Sequence, residues 1–176
     1  MTPKHLFLIG FMGSGKTTVG KLLAERLNLP FVDSDQWIEE RNGMSVGEIF
    51  ETRGEAFFRE EELAFLHASK GFEKSVISLG GGLPAIENSL ELIHQIGSSI
   101  YLNVSLLTLI QRLKLERELR PKLKDLSDAE FHPFVESLLS ERVHYYKQAK
   151  LIMPNERNKP NELVEKIEKE LIKLNF

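Results

Sequence analysis

Lys16 and Thr17 end the stretch Gly10-Phe11-Met12-Gly13-Ser14-Gly15-Lys16-Thr17, whose spacing, G-x-x-x-x-G-K-[ST], is that of a phosphate-binding loop. The apolar run His5-Leu6-Phe7-Leu8-Ile9 precedes it and a helical pattern follows, the strand-to-helix context that gives the spacing a physical meaning. There the backbone N–H groups of Gly13, Ser14, Gly15 and the first helical residues through Thr18 converge with the positive end of the helix dipole, and an anion is stabilised where they meet. Lys16 can then reach the β- and γ-phosphates of a nucleotide, and the Thr17 hydroxyl can ligate Mg²⁺. A glycine-rich turn without a ligand is the competing reading, and the strand-loop-helix context weighs against it.

Asp33 and Asp35 are the next pair that could do chemistry. They follow the short apolar run Phe31-Val32 and so fall at the same sheet edge as the phosphate loop. One carboxylate could hold the hydration shell of Mg²⁺, so that Asp33 would act through water. The other, Asp35, could accept a hydrogen bond from a hydroxyl that attacks the γ-phosphate. Asp-x-Asp is also common in turns, and Asp35 could simply cap a helix starting at Gln36. Further on, Gly80-Gly81-Gly82 follows the run Val76 to Leu79 and offers bare backbone N–H groups to an anion or a polar ligand, or else makes a flexible turn. Arg142 lies near Tyr145 and Tyr146, where its local sequence alone favours an exposed surface arginine. The charge-dense stretch 114–125 contains Arg120-Pro121, and proline disfavours helix at the residue before it, so the helix should break here into a mobile loop. A cationic cover over a nucleotide and a solvated linker both fit that composition.

These residues need a frame. Apolar, β-rich runs recur at Leu6 to Ile9, Phe31-Val32, Val76 to Leu79, Ile100 to Val104 and Leu151 to Met153. Helical patterns lie between them: Val19, Leu22, Leu23 and Leu27 form one face after the phosphate loop, and others cover Gln36 to Glu40, Val46 to Thr52 and Glu55 to Ser69. Ser45 with Glu48 makes a capping box for the third helix. Later helices are expected over Ser89 to Gln95, Leu106 to Leu115, Pro133 to Lys150 and Asn161 to Leu174. Strands alternating with helices imply an α/β fold, a parallel sheet covered on both faces, with ligands at the carboxyl ends of the strands.

Composition narrows the class. At 176 residues the chain reads as one domain, long enough to bury roughly 70% of its unfolded surface without staples. It has no cysteine, which removes disulfides, thiol nucleophiles and zinc fingers and suits a reducing compartment. A net charge of −3 with both signs interspersed gives no basic field for nucleic acid or an anionic membrane. No apolar run approaches the ~18 residues a bilayer span requires, and the first strand begins within a few residues of Met1, so a soluble, cytoplasmic protein without a signal peptide is expected.

Taken in order, GFMGSGKT, Asp-x-Asp, Gly54-Glu55-Ala56-Phe57-Phe58-Arg59-Glu60-Glu61-Glu62, Gly-Gly-Gly, Arg-Pro and Arg-x-x-x-Tyr, the chain resembles the shikimate kinases from His5 to about Ile167. The resemblance implies a three-layer α-β-α sandwich with a five-stranded parallel sheet, like that of nucleoside monophosphate kinases. It also implies ATP- and Mg²⁺-dependent phosphorylation of the 3-hydroxyl of shikimate, in the route to chorismate and aromatic amino acids, by a monomeric enzyme with a small-molecule substrate and neither nucleic acid nor membrane as a partner. Matched by position, Asp35, Arg59, Gly81 and Arg142 would hold shikimate, with Gly80 and Gly82 adjacent, Phe50 and Phe58 walling the pocket, and the helical segment at about 35–70 carrying Asp35, Phe50, Phe58 and Arg59. Lys16, Thr17, Asp33 and Ser78 match phosphate and Mg²⁺ positions, with Lys16, Asp35 and Arg120 carrying the chemistry. Arg120 matches a lid arginine that reaches ATP, and Arg112 and Pro160 match an adenine sandwich. The chain departs from the family pattern twice. Arg-Pro is usually followed by two leucines, whereas here Lys122 precedes Leu123 and adds a charge to the lid. Around residues 156–159 the family's adenine-loop arginine has no clear counterpart, Arg157 being the nearest candidate.

Three other readings compete. A kinase of the same architecture for another small polyol acid, such as gluconate, is disfavoured by Arg59, Arg142 and the triple glycine. A guanine-nucleotide switch would need an Asn-Lys-x-Asp element and an Asp-x-x-Gly switch after a strand, and neither is present. A non-catalytic nucleotide-binding homologue would have no reason to keep Lys16, Asp33, Asp35 and Arg120 together.

Overall fold

The computed structural model describes residues 5–120, 122–157 and 159–174. Five strands, β1 (His5–Ile9), β2 (Phe31–Asp33), β3 (Val76–Ser78), β4 (Gly97–Asn103) and β5 (Leu151–Pro154), pair in parallel in the order β2-β3-β1-β4-β5. The helices are α1 (Lys16–Leu27), α2 (Ser34–Asn42), α3 (Val46–Ser69), α4 (Ser89–Ile96), α5 (Leu106–Leu115), α6 (Asp128–Tyr146) and α7 (Pro160–Lys173), with 3₁₀ turns at Leu83–Ala85 and Arg117–Leu119.

Period-two alternation along β1 explains the layering. Leu6 and Leu8 point into a core shared with Val19 and Leu23 of α1 and Val164 and Ile167 of α7. Phe7 and Ile9 point the other way, into a core with Phe65 of α3, Ile93 of α4, Leu113 of α5 and Val135 of α6. All five β1 residues are buried, as befits a strand covered on both faces. The result is the expected α-β-α sandwich. A third, smaller cluster of Ile38, Ile49 and Phe58, with Trp37, Met44, Val46, Phe50 and Phe57 around it, joins α2 to α3 away from the sheet.

The chain leaves β1 toward β2 on one side and leaves β3 toward β4 on the other, so the connections diverge between β1 and β3. At such a switch point the carboxyl ends of the strands open a crevice. The phosphate loop, Asp33 with Asp35, and the triple glycine follow β1, β2 and β3 and meet there.

Local details correct the sequence expectations at four places. Helix α2 begins at Ser34, not Gln36, and its cap is Asp33, which accepts a hydrogen bond from the Asp35 N–H at 3.1 Å; Asp35 is therefore free of the capping role. The helices expected at Val46 to Thr52 and Glu55 to Ser69 are the two halves of α3, broken by Gly54 at φ 81°, ψ 171°. Helix α6 begins at Asp128 rather than Pro133, because Ser127 and Glu130 form a full capping box one turn earlier. Strand β4 begins at Gly97 rather than Ile100. The Ser45–Glu48 capping box is present as expected. Arg120 has extended φ −118°, ψ 112°, while the cause assigned to it, Pro121, lies outside the described residues.

Candidate active site

The phosphate loop is preorganised by its own backbone. Gly15 is the N-cap of α1 in the left-handed region, φ 91°, where a side chain would be strained, and no side chain caps the helix. The first-turn N–H groups are thus left to a ligand. Lys16 folds back on the loop, donating to the Gly10 and Phe11 carbonyls at 2.9 and 3.0 Å. Asn155, buried beside β5, donates from Nδ2 to the Ser14 carbonyl at 2.8 Å and so braces the loop from behind. The Ser14 hydroxyl is buried without a partner. Burial lowers the Lys16 ammonium to about 8, against the pull of Asp35.

Two cavities flank this loop. The first, about 420 Å³, is lined by Gly13, Gly15, Lys16, Thr17, Thr18, Asp33, Ser78, Arg112 and Arg120, among others. Thr17 Oγ1 donates to Asp33 Oδ2 at 3.0 Å, which uses the hydroxyl proton and leaves the oxygen lone pairs for a cation. A hydroxyl and a carboxylate on one rim, with no cluster of three or more acidic, His or Cys ligands among the described residues, form a hard-oxygen set of the kind Mg²⁺ uses when phosphates and water complete its shell. The donor set fits Mg²⁺. Arg112 on α5 donates to the Gly13 and Asn155 carbonyls at 3.2 and 2.8 Å, tying the phosphate loop to the loop after β5. Arg157 is exposed and lines a separate hollow beside Glu156 and Lys159, and Pro160, which opens α7, lines neither of the two cavities.

The second cavity, about 290 Å³, is lined by Asp35, Phe50, Phe58, Arg59, Gly80, Gly81, Gly82 and Arg142, which brings every expected acceptor-site residue to one place. Met12, Glu39, Val46, Glu62, Arg120 and Lys122 complete the wall. Arg142 is only 8% exposed, so it is no surface arginine. One turn later on α6, buried Tyr146 donates to the Gly81 carbonyl at 2.5 Å and fixes the triple glycine. A Cβ on Gly82 would collide with the Arg59 guanidinium and one on Gly80 would approach Glu62 Oε1 and Asp35 Oδ1 to 2.5 and 2.8 Å, so a side chain at either flanking position would push these groups aside, whereas one on the middle Gly81 would lie 3.3 Å from the Gly10 carbonyl oxygen. Gly80 N–H donates to Ser34 Oγ at 2.8 Å, linking β3 to the start of α2.

Sequence reasoning did not single out Glu62, Tyr146, Asn155, Ser34 or Glu116 for this site. Glu62 is fully buried and paired with Arg59, which also donates to Glu55 Oε1 at 2.6 Å. Burial pushes Glu62 up to about 7, against the attraction of Arg59, and its second oxygen has no partner. Burial, then the Asp33 charge, push Asp35 up to about 6. Glu116 pairs with Arg120 one helical turn later.

A family model described as shikimate kinase matches residues 12–172. The chain belongs to the shikimate kinase family. Its curated relatives include the shikimate kinase of Bacteroides thetaiotaomicron, 44% identical over 148 residues that cover 84% of this chain and 85% of that protein. A crystal structure of shikimate kinase from that organism superposes with a TM-score of 0.88 at 40% identity, covering 96% of this chain and 98% of the other. The shikimate kinase of Acinetobacter baumannii, solved in complex with shikimate, superposes with a TM-score of 0.86 at 30% identity, covering 98% and 94%. Family membership accounts for two adjoining cavities that share Met12, Asp35, Gly80, Gly81 and Arg120, one beside a phosphate loop and one lined by arginines.

Proposed function

We propose that this protein transfers the γ-phosphoryl group of ATP to the 3-hydroxyl of shikimate, giving shikimate 3-phosphate and ADP, a step toward chorismate and the aromatic amino acids. The observation that carries this reading is the meeting of Asp35 with Arg59, Arg142 and the triple glycine in a cavity that adjoins the phosphate loop. Four cationic side chains and three carboxylates line it, a balance that suits a small acid carrying several hydroxyls.

In this reading Arg59 and Arg142 grip the substrate carboxylate. Arg59 has donors to spare after its bonds to Glu62 and Glu55, and a guanidinium presents them as a planar fork. Phe50 and Phe58, with ring centroids 4.9 Å apart, wall the ring of the acceptor. Asp35 then orients the attacking hydroxyl and takes its proton as that oxygen bonds to phosphorus and the bridging oxygen leaves with ADP. Lys16 and Arg120 offset charge on the transferring group and the leaving phosphates. Thr17 directly and Asp33 through water would hold Mg²⁺, which neutralises phosphate charge when bound. Arg112, from the wall of the nucleotide cavity, and Pro160, from outside it, are assigned to flank adenine, with Arg157 assigned to the nucleotide from its separate hollow. The segment at about 114–125 is proposed to act as a lid over ATP, and 35–70 as the acceptor-binding unit of a single kinase domain. The protein is proposed to act as a monomer.

ADP release measured with and without shikimate tests the reading. A rate that depends on shikimate, with stoichiometric shikimate 3-phosphate, is expected. Release that ignores shikimate but responds to gluconate would move the assignment to another acceptor.

A further inference from the structure

Lys122 stands where the family pattern has an apolar residue, and it faces the acceptor cavity rather than solvent: its side chain is 24% exposed and lines the cavity wall with Arg59 and Arg142. Its ammonium donates to Glu55 Oε1 at 2.6 Å, and Arg59 Nη2 donates to that same oxygen at 2.6 Å. The same ammonium lies 5.4 Å from the centroid of Phe50, an attractive distance for a cation over a ring face. Two cations from different parts of the chain, one on α3 and one between α5 and α6, thus share a single carboxylate oxygen, and Glu55 lines not this cavity but a hollow that shares Arg59, Gly82 and Arg142 with it. Glu55 is half exposed and needs neither of them for solvation. The next residue, Leu123, is fully buried in the core against α6 neighbours, which holds Lys122 at this position.

We propose that Lys122 is a specificity-determining residue, a third cation of the acid-recognition site, and that the carboxylate of a bound acceptor replaces Glu55 as the anion shared by Lys122 and Arg59. The inference rests on the reading that an acid occupies this cavity. Glu55 is then a resting counter-ion, the internal competitor of the substrate. A neutral acceptor cannot make the exchange, because leaving Glu55 would strand the Lys122 ammonium and leave Arg59 with Glu62 alone. Arg120 lies two residues before Lys122, so the exchange also links the charge of the acceptor to the side chain that faces both cavities.

The alternative is that Lys122 only ties its loop to Glu55. The two roles separate in the signs of two substitutions. If Lys122 serves the acceptor, Lys122→Met raises the KM for shikimate about 10-fold, as expected for one lost charge-assisted hydrogen bond, and cuts the preference for shikimate over its carboxamide analogue by a similar factor. Lys122→Arg, which keeps the charge, restores most of both. Glu55→Gln, which removes the competitor, does not raise the KM. If Lys122 is only a tie, Lys122→Met and Glu55→Gln raise the KM together and the acid-to-amide preference stays as in the parent, a result that overturns the proposal. A parent enzyme that uses acid and amide equally would overturn the acid-site reading itself, whereas a parent preference that survives in Lys122→Met removes Lys122 alone from it.

Discussion

Lys16 and Asp35 face each other across the phosphate loop and are moved in opposite directions by the same cause, burial, Lys16 down to about 8 and Asp35 up to about 6. Catalysis in the proposed mechanism needs Lys16 charged and Asp35 ionised. The free-enzyme profile of kcat/KM should therefore fall below about pH 6 as Asp35 takes a proton and above about pH 8 as Lys16 loses one. Lys16→Met should lose about 10²–10³ in turnover on the plateau between the two limbs, and with it the alkaline limb, so that the deficit narrows above about pH 8; a limb that persisted in that variant would belong to another group. Asp35 also carries a stability consequence. Its carboxyl titrates near its ordinary value in the unfolded chain and near 6 in the fold, so between those pH values the unfolded state ionises first and folding is disfavoured as pH rises, fully so above about 6. Asp35→Asn should be more stable than the parent by ~1–3 kcal/mol at pH 8, with the gain vanishing near pH 4, while turnover collapses. Urea unfolding at both pH values checks this, and a variant less stable than the parent at pH 8 would mean that burial does not dominate at Asp35. The residues legible in the sequence were those in contiguous motifs, such as Lys16, Thr17 and the Asp33–Asp35 pair. Glu62, Tyr146 and Asn155 act through contacts across 3, 65 and 141 positions, and only the first and second lie in a spacing that the sequence displays.

At the scale of elements, α2 and the first half of α3 share a small core around Ile38 and Ile49, to which Phe58 is added from just beyond the Gly54 break. The break at Gly54 separates that half from the one that packs on the sheet through Phe65 and Leu66. Its φ 81°, ψ 171° belongs to a region essentially reserved for glycine, and a Cβ there would meet nothing within 4 Å, so the constraint is the backbone alone. Gly54→Ala should cost about 1–3 kcal/mol and should re-aim Phe58 and Arg59, which follow within two turns. The expected signature is a raised KM for shikimate with the KM for ATP nearly unchanged, and faster amide exchange confined to residues 46–58. Equal changes in both KM values would show that the break serves global stability instead. Most elements were legible because their signals are local: alternation between strands and helices, and the Ser45–Glu48 box. The start of β4 was not, since Gly97-Ser98-Ser99 is buried without being apolar. The start of α6 was not, because Pro133 reads as a first-turn residue although Ser127 and Glu130 repeat the capping spacing of Ser45 and Glu48.

For the molecule as a whole, the sheet holds the phosphate loop, Asp33 and the triple glycine at the ends of its three adjacent strands β1, β2 and β3, whereas the acceptor walls and the 116–127 segment are peripheral to it. The nucleotide and acceptor cavities meet at Met12, Asp35, Gly80, Gly81 and Arg120. Four of these five are fixed by the sheet edge, the loop or α2; Arg120 alone belongs to the peripheral segment, held there by Glu116, and its Nε is buried without a partner. A ligand in either cavity offers Arg120 an anion that Glu116 now supplies. Whichever ligand binds first should therefore bear the cost of drawing Arg120 away from Glu116, and the second should bind more tightly. Such a coupling is reciprocal by thermodynamic necessity: a non-hydrolysable ATP analogue should tighten shikimate by about 5–150-fold, and shikimate should tighten the analogue by the same factor. Calorimetric titrations in both orders measure the two factors. Arg120→Ala should bring both close to one, because the shared side chain is gone while each cavity keeps its other walls. Undiminished coupling in that variant would assign the communication to Asp35 and the triple glycine, within the rigid edge of the sheet, and would leave the peripheral segment as a cover rather than a link.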